Sequence, residues 1–383
     1  MSARLLAIAL TTLLVGTAHA NPKADQLAAE GRQLLDNGDL GGAQGKLKLA
    51  LEVDRTHVAA NVEMAKLSLL RNEFASAQQF ANVALSKNRT DAAALILLIR
   101  VQAAQGQSES IFTRVQELAN IYRDDPGVQL AYGEALLATR KYDQAILAAT
   151  RVLKAEETSV AAMKLLARAY IGLERPVTAE SILLRALELE RDPGALTLLA
   201  GIRFGEDNLI ETRLLLEEAL EAAPGYVEAL NSVGVVYIVV RNWESALNAL
   251  NRAIAIAPSF AEAWLNLASA QRGARQFEQA EASWKRALTL APRMADVWYN
   301  LGILYLENPI GQRDRIQQLT ESINAFNAFK RTVTNDPNVD KFIDEARLLM
   351  KQEQERRNEQ LKPKPESGGE GGGEGENRSG GGG

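Results

Sequence analysis

The 383-residue sequence has no cysteine, only two histidines, and aromatic residues at 5% of positions. Without cysteine there is no disulfide and no thiol to carry a lipid at a processed N-terminus, and the chain suits an oxidising compartment. The scarcity of histidine removes most site chemistry. His19 lies in a segment expected to be cleaved off, and His57 falls in a turn with no second histidine to build a dyad, a Ser-His-Asp set or a metal cluster. No glycine-rich loop follows a strand, because no convincing strand pattern exists. Carboxylate pairs such as Glu156-Glu157 and Glu217-Glu218 read as solvated helix faces. A basic excess is missing too. With 43 basic against 48 acidic residues the net charge is −5, which gives no electrostatic footprint for nucleic acid. These absences point to a protein that is not an enzyme and carries no catalytic residue, no metal and no cofactor.

The one strongly apolar run is N-terminal. Arg4 is followed by apolar Leu5–Val15, interrupted only by Thr11 and Thr12, and then by the small-residue stretch Gly16-Thr17-Ala18-His19-Ala20. This pattern predicts a signal peptide over 1–20 with cleavage after Ala20, the alternative being a short membrane anchor. No later segment is apolar and long enough to be an integral span. A mature soluble protein in a bacterial periplasm is expected, with secretion to the medium as the alternative. Residues 361–383 are rich in Gly and Glu and predict a disordered tail.

What the chain does have is a period. Leu230, Val233-Gly234, Tyr237, Ala246, Leu250, Ala253 and Pro258 recur 34 positions later as Trp264, Leu267-Ala268, Gln271, Ala280, Trp284, Ala287 and Pro292. Within each half of the unit, apolar residues follow the i, i+3, i+4, i+7 rhythm of an amphipathic helix. Two positions stay small. One reads Gly31, Ala65, Gly133, Ala167, Ala200, Gly234, Ala268, Gly302; the other reads Ala43, Ala77, Ala145, Ala179, Ala246, Ala280. Small residues on facing helices let the backbones approach, and a bulky one there would cost about 1–3 kcal/mol. Pro224, Pro258 and Pro292 mark helix ends. A repeat of this size made of two helices predicts a solenoid.

The pattern resembles the tetratricopeptide repeat (TPR) family. The resemblance implies an all-α superhelical solenoid of about nine helix-turn-helix repeats over 24–337: 24–57, 58–91, 92–125, 126–159, 160–192, 193–226, 227–260, 261–294 and 295–337. Residues 227–305 carry it most strongly. The third repeat departs from it, with Ile99 and Ile111 at small positions, and the fifth is one residue short. The ninth is lengthened by an insertion near 307–317, where Pro309 and Gly311 predict a turn before a long second helix. A capping helix is expected over 338–360, with Phe342, Ile343, Ala346, Leu349 and Met350 in one stripe.

In that family the first helices line a concave face that takes an extended peptide or a helix from a protein partner. Carried over by position, the ninth place of the repeats reads Arg32, Lys66, Arg100, Glu134, Arg168, Gly201, Val235, Ser269, Ile303. Four of the first five are basic, and the later ones are apolar or small. Ile238, Val239, Leu265 and Tyr299 are nearby groove positions. The expected partner-binding groove is thus cationic toward the N-terminus and apolar toward the C-terminus, suited to acidic residues followed by apolar anchors. The alternative reading makes the basic residues ordinary solvated positions and the apolar ones packing contacts. Asn266, Asn300 and Lys164 do not complete the family's carboxylate clamp. The resemblance implies an exported protein-protein interaction scaffold of an envelope assembly for motility, secretion or export, most narrowly a gliding-motility component. A peptidoglycan- or polysaccharide-associated protein is the alternative, with Trp264, Trp284 and Trp298 as conceivable sugar platforms. Their motif positions favour core packing.

Overall fold

The computed structural model describes residues 21–361 except 106, 334 and 335, so the expected signal peptide and most of the expected tail lie outside the described residues. Among the described residues there are nineteen α-helices and no strand. They fall in pairs. The first four repeats pair α1 (Pro22–Asp36) with α2 (Leu40–Val53), α3 (Val58–Leu70) with α4 (Phe74–Lys87), α5 (Ala92–Ala104) with α6 (Ser108–Ile121), and α7 (Pro126–Ala138) with α8 (Tyr142–Ala155). The next four pair α9 (Val160–Gly172) with α10 (Pro176–Leu189), α11 (Pro193–Gly205) with α12 (Leu209–Ala222), α13 (Val227–Val239) with α14 (Trp243–Ile256), and α15 (Ala261–Gly273) with α16 (Phe277–Leu290). The last pair, α17 (Ala295–Glu307) and α18 (Arg315–Thr332), is followed by α19 (Pro337–Gln360). The architecture is an all-α repeat solenoid.

Local chemistry sets the helix ends. Asn21, Asp39, Asp91, Asp125, Asp192 and Asn242 accept from the second or third backbone N–H of the helices they precede, satisfying donors that no carbonyl of the helix can reach. α12, α14 and α16 each stop two residues before Pro224, Pro258 and Pro292, since the residue before proline is pushed out of the helical region. The turn inside a repeat places one residue in the left-handed region. That residue is Gly38 in the first repeat but Asn72, Arg140, Glu174, Asp207, Arg241 and Arg275 in others.

The small positions lie where the helices touch. Ala43, Ala77, Ala145, Ala179, Ala246 and Ala280 are fully buried. In the third repeat Ile99 and Ile111 are buried instead, in a larger core with Leu95, Leu98 and Val115, and α5 packs more against α7 than against its own partner α6. Two bulky residues at the closest crossing explain that loosened pair.

The structure divides into two compact units, one ending at Pro292 and the other starting at Arg293. The second unit has its own core, built from Phe326, Phe329, Leu319, Val339 and Ile343 around Ile303 and Leu306. Its inserted loop is tied down. Ile310 is buried, the Gln318 amide donates to the Tyr305 carbonyl at 2.9 Å and to the Asn308 carbonyl, and Arg315 donates to the carbonyls of Tyr305 and Leu306. These bonds occupy carbonyls left over at the end of α17.

Within the first unit the array comes round until its first repeat meets the turn between α12 and α13. The Gly225 N–H donates to the Asp36 carbonyl at 2.7 Å. Leu40 and Leu70 pack against the cluster formed by Val227, Leu230, Ala253, Ile256 and Ala257.

Candidate functional site

This return contact borders a half-open cavity of about 710 Å³ within the first unit, a size typical of ligand sites. One wall comes from the early repeats: Leu35 and Asp36 at the end of α1, Lys66, Leu69 and Leu70 on α3, and Leu97 and Arg100 on α5. The facing wall comes from Gly225, Tyr226, Val227, Glu228, Ile256, Phe260 and Leu290. Positions one turn apart on α3 and α5 place the basic residues beside leucines, so the early wall alternates charge with aliphatic surface.

The electrostatics separate engaged charges from free ones. Lys66 lies 3.5 Å from Asp36 and 3.9 Å from Glu63, and Arg32 is 3.9 Å from Asp36 and 4.0 Å from Glu63. Burial pushes the Glu63 carboxyl above its ordinary range, against the pull of Lys66 and Arg32, and its Oε2 has no hydrogen-bond partner. Arg168 donates from Nη1 to both oxygens of Glu134, at 2.7 and 2.8 Å. Lys164 reaches Asp192 at 2.8 Å. Burial also raises the Tyr226 phenol, with the charges of Glu228 and Asp192 acting the same way and those of Arg100 and Arg168 opposing it. Arg100 on the early wall and Glu228 on the facing wall make no ion pair or hydrogen bond among the described residues.

The expected groove is therefore only partly assembled as read from sequence. Lys66 and Arg100 meet in the cavity. Arg32 instead faces a separate open depression with His57 and Glu63, and Arg168 is neutralised by Glu134. Carboxylates supplied by neighbouring repeats thus offset the cationic half, which a single-position row does not reveal. On the apolar side, Val235 lines a small pocket of about 130 Å³ with Gly201 and Phe204. Ile238 packs against Ala246 and Leu250, Leu265 is half-buried, and Val239 is 49% exposed. Two expected groove residues require correction. Ile303 is core in the second unit at 6% exposure. Tyr299 is packed among Phe326, Phe329 and Phe342, with ring centroids 5.5–6.1 Å away. The lengthened α18 and the capping α19 bring those phenylalanines, and an aromatic cluster gains more from the tyrosine than water would.

Trp284 is fully buried. Trp264 packs beside Leu267 and donates to the Pro258 carbonyl at 2.9 Å, and Trp298 packs beside Phe326. Trp284 is thus core, while Trp264 and Trp298 are partly buried and pack against core clusters. What sequence reasoning missed is the facing wall, which comes from turns and from helix ends far along the chain from α1. One signal was available. Gly225 is a glycine where corresponding turns carry Thr56, Thr90, Asp124, Thr158 and Ser259.

Tetratricopeptide-repeat family models match residues 136–202 and 265–337, so the chain carries TPR repeats, a unit that builds protein-protein interaction scaffolds. No curated protein matches the sequence. Similar solved structures include a chain of the APC/C hetero-tetramer Cut9-Hcn1, at 15% identity and TM-score 0.64, covering 80% of this chain and 59% of that one. This chain thus spans 59% of the length of the Cut9-Hcn1 chain it matches. The human IFIT1 dimer with PPP-AAAA matches at 14% identity and TM-score 0.56, covering 88% of each chain. MamA matches at 24% identity and TM-score 0.34, over 44% of this chain and 93% of its own. At these identities the likeness to the Cut9-Hcn1 chain and to IFIT1 is one of fold.

Proposed function

We propose that the protein is a binding scaffold of the bacterial periplasm whose first unit grips a segment of a partner protein in the half-open cavity. The observation that carries this reading is the pair of opposite charges, Arg100 and Glu228, both exposed to the cavity mouth and neither ion-paired among the described residues, on facing walls that are otherwise rich in Leu35, Leu69, Leu97, Ile256 and Phe260. A simple anion satisfies only Arg100. A polypeptide offers a carboxylate to Arg100, a backbone or side-chain N–H to Glu228, and aliphatic side chains to the walls. The charge pattern of residues 1–20 supports export, and a motility, secretion or export assembly of the envelope is the setting that fits an exported scaffold.

The test is recovery of partner from periplasmic extract by the tagged mature chain. Arg100→Glu should weaken recovery, most at low salt, because a charge contact is screened as ions are added. Leu69→Asp, at a half-buried wall position, should abolish it. Undiminished recovery by both variants, each with native helicity, contradicts the reading. N-terminal sequencing of the exported product tests the location, with Asn21 as the expected first residue.

A further inference from the structure

We infer that the contact between Gly38 and Gly225 is a latch on one wall of the half-open cavity, whose release widens the way in for the ligand and whose closure then holds it. The inference rests on the cavity being the binding site. Its own evidence is the way the two turns meet.

Gly38 has φ +83°, and its turn explains that conformation but not the glycine. The same turn position in six other repeats holds Asn72, Arg140, Glu174, Asp207, Arg241 and Arg275, all at φ between 57° and 63°; the sequence of the third repeat has Gly106 at that register. The turn therefore accepts a side chain elsewhere. At Gly38 a Cβ would come 2.9 Å from Ile256 Cδ1 and 3.4 Å from the Gly225 Cα. At Gly225 the restriction is tighter, because a Cβ would lie 2.3 Å from the Gly38 nitrogen and 2.6 Å from its Cα. Backbone atoms cannot rotate away as a flexible side chain can. The two glycines allow one backbone to lie directly on another, and the Gly225 N–H to Asp36 carbonyl bond of 2.7 Å closes the contact.

Three features make this a latch and not one more repeat interface. It joins residues far apart in the sequence, whereas solenoid repeats otherwise depend on their neighbours. It is slight: one backbone hydrogen bond, two glycines, and the side chains of Leu40 and Leu70. Its separation would leave the core of the first repeat intact, since Leu47, Ala50, Met64 and Leu67 pack between α2 and α3. Asp36 and Gly225 themselves line the cavity, so opening the contact opens the cavity wall. Contacts of this low-stability kind are where local opening occurs.

The natural absence of cysteine makes the test clean. Asn37→Cys and Pro224→Cys, flanking the contact, are introduced together in the full mature chain and oxidised to a disulfide. The probe is 1-anilinonaphthalene-8-sulfonate, an aromatic anion suited to the aliphatic walls and Arg100, followed by stopped-flow fluorescence. The relevant signal is the part lost in Arg100→Glu. Its uptake should be about tenfold or more slower in the oxidised protein than in the same protein reduced, as expected when binding waits on a conformational step. Gly225→Val, which cannot seat against Gly38, should accelerate uptake. Equal rates in oxidised and reduced protein, with the Arg100-dependent signal present, overturn the latch and leave the site standing. Absence of any Arg100-dependent signal in the reduced protein overturns the site and the latch together.

Discussion

Trp284 offers a quantitative check on the packing. It lies on α16, is fully buried, and its indole N–H has no hydrogen-bond partner among the described groups. Trp284→Ala should destabilise by about 3–5 kcal/mol, the range for emptying a large aromatic site in a core. Trp284→Phe is the sharper test. It removes three ring atoms, worth about 2 kcal/mol of transfer free energy. It also removes a buried donor whose unmet desolvation costs about 1–3 kcal/mol. The terms nearly cancel, so the variant should lie within about 1 kcal/mol of the parent. Trp264→Phe provides the contrast, because its indole donates to the Pro258 carbonyl at 2.9 Å and the loss of that bond adds about 1 kcal/mol with no compensating relief. Urea unfolding followed by far-ultraviolet circular dichroism measures all three. A Trp284→Phe loss of about 3 kcal/mol or more would refute the reasoning, since it would mean that the N–H is well bonded in solution.

Other outcomes follow from the same structure. Gln318→Leu should cost about 2–3 kcal/mol in thermal unfolding, because it removes the Gln318 partner of the Asn308 carbonyl and of the buried Ile310 N–H, while the Tyr305 carbonyl keeps Arg315 as a donor. Ser322→Ala should cost about 1 kcal/mol through loss of the buried 2.8 Å bond to the Gly302 carbonyl. Burial raises the Glu63 carboxyl, so its protonated form favours the fold: that contribution is present below the ordinary carboxylate range and lost as pH rises through the folded value. Glu63→Gln should therefore stabilise at pH 7 and lose that gain as pH falls through the ordinary carboxylate range, read from denaturant midpoints across pH.

Much of the fold is legible in the residues because each repeat is a local problem. The 34-residue spacing, the alanines at 43, 77, 145, 179, 246 and 280, and the prolines at 224, 258 and 292 specify helix pairs without long-range information. The unlengthened repeats hold few surprises for the same reason. The cavity was harder to foresee, because its two walls come from α1–α5 and from the segments around Tyr226, Ile256 and Leu290. Curvature, accumulated over several repeats, decides that meeting. The row through Arg32, Lys66, Arg100 and Arg168 was visible as charge, but the carboxylates Asp36, Glu63 and Glu134 that engage three of its members stand in other positions or other repeats. Tyr299 and Ile303 were misplaced because a repeat template places them in a groove, while the extra helix α19 brings Phe342 and Ile343 over them.

The central claim is that the cavity-lining inner wall of the first unit, and not its outer face, holds the partner. Site-specific photo-crosslinking in the producing cell tests it directly, with benzoylphenylalanine placed at the half-buried Leu69 in the cavity or at Ile210, which is 73% exposed on α12. The account predicts a defined adduct from Leu69 that Arg100→Glu diminishes, and none from Ile210. The same adduct from Ile210, with none from Leu69, would contradict it.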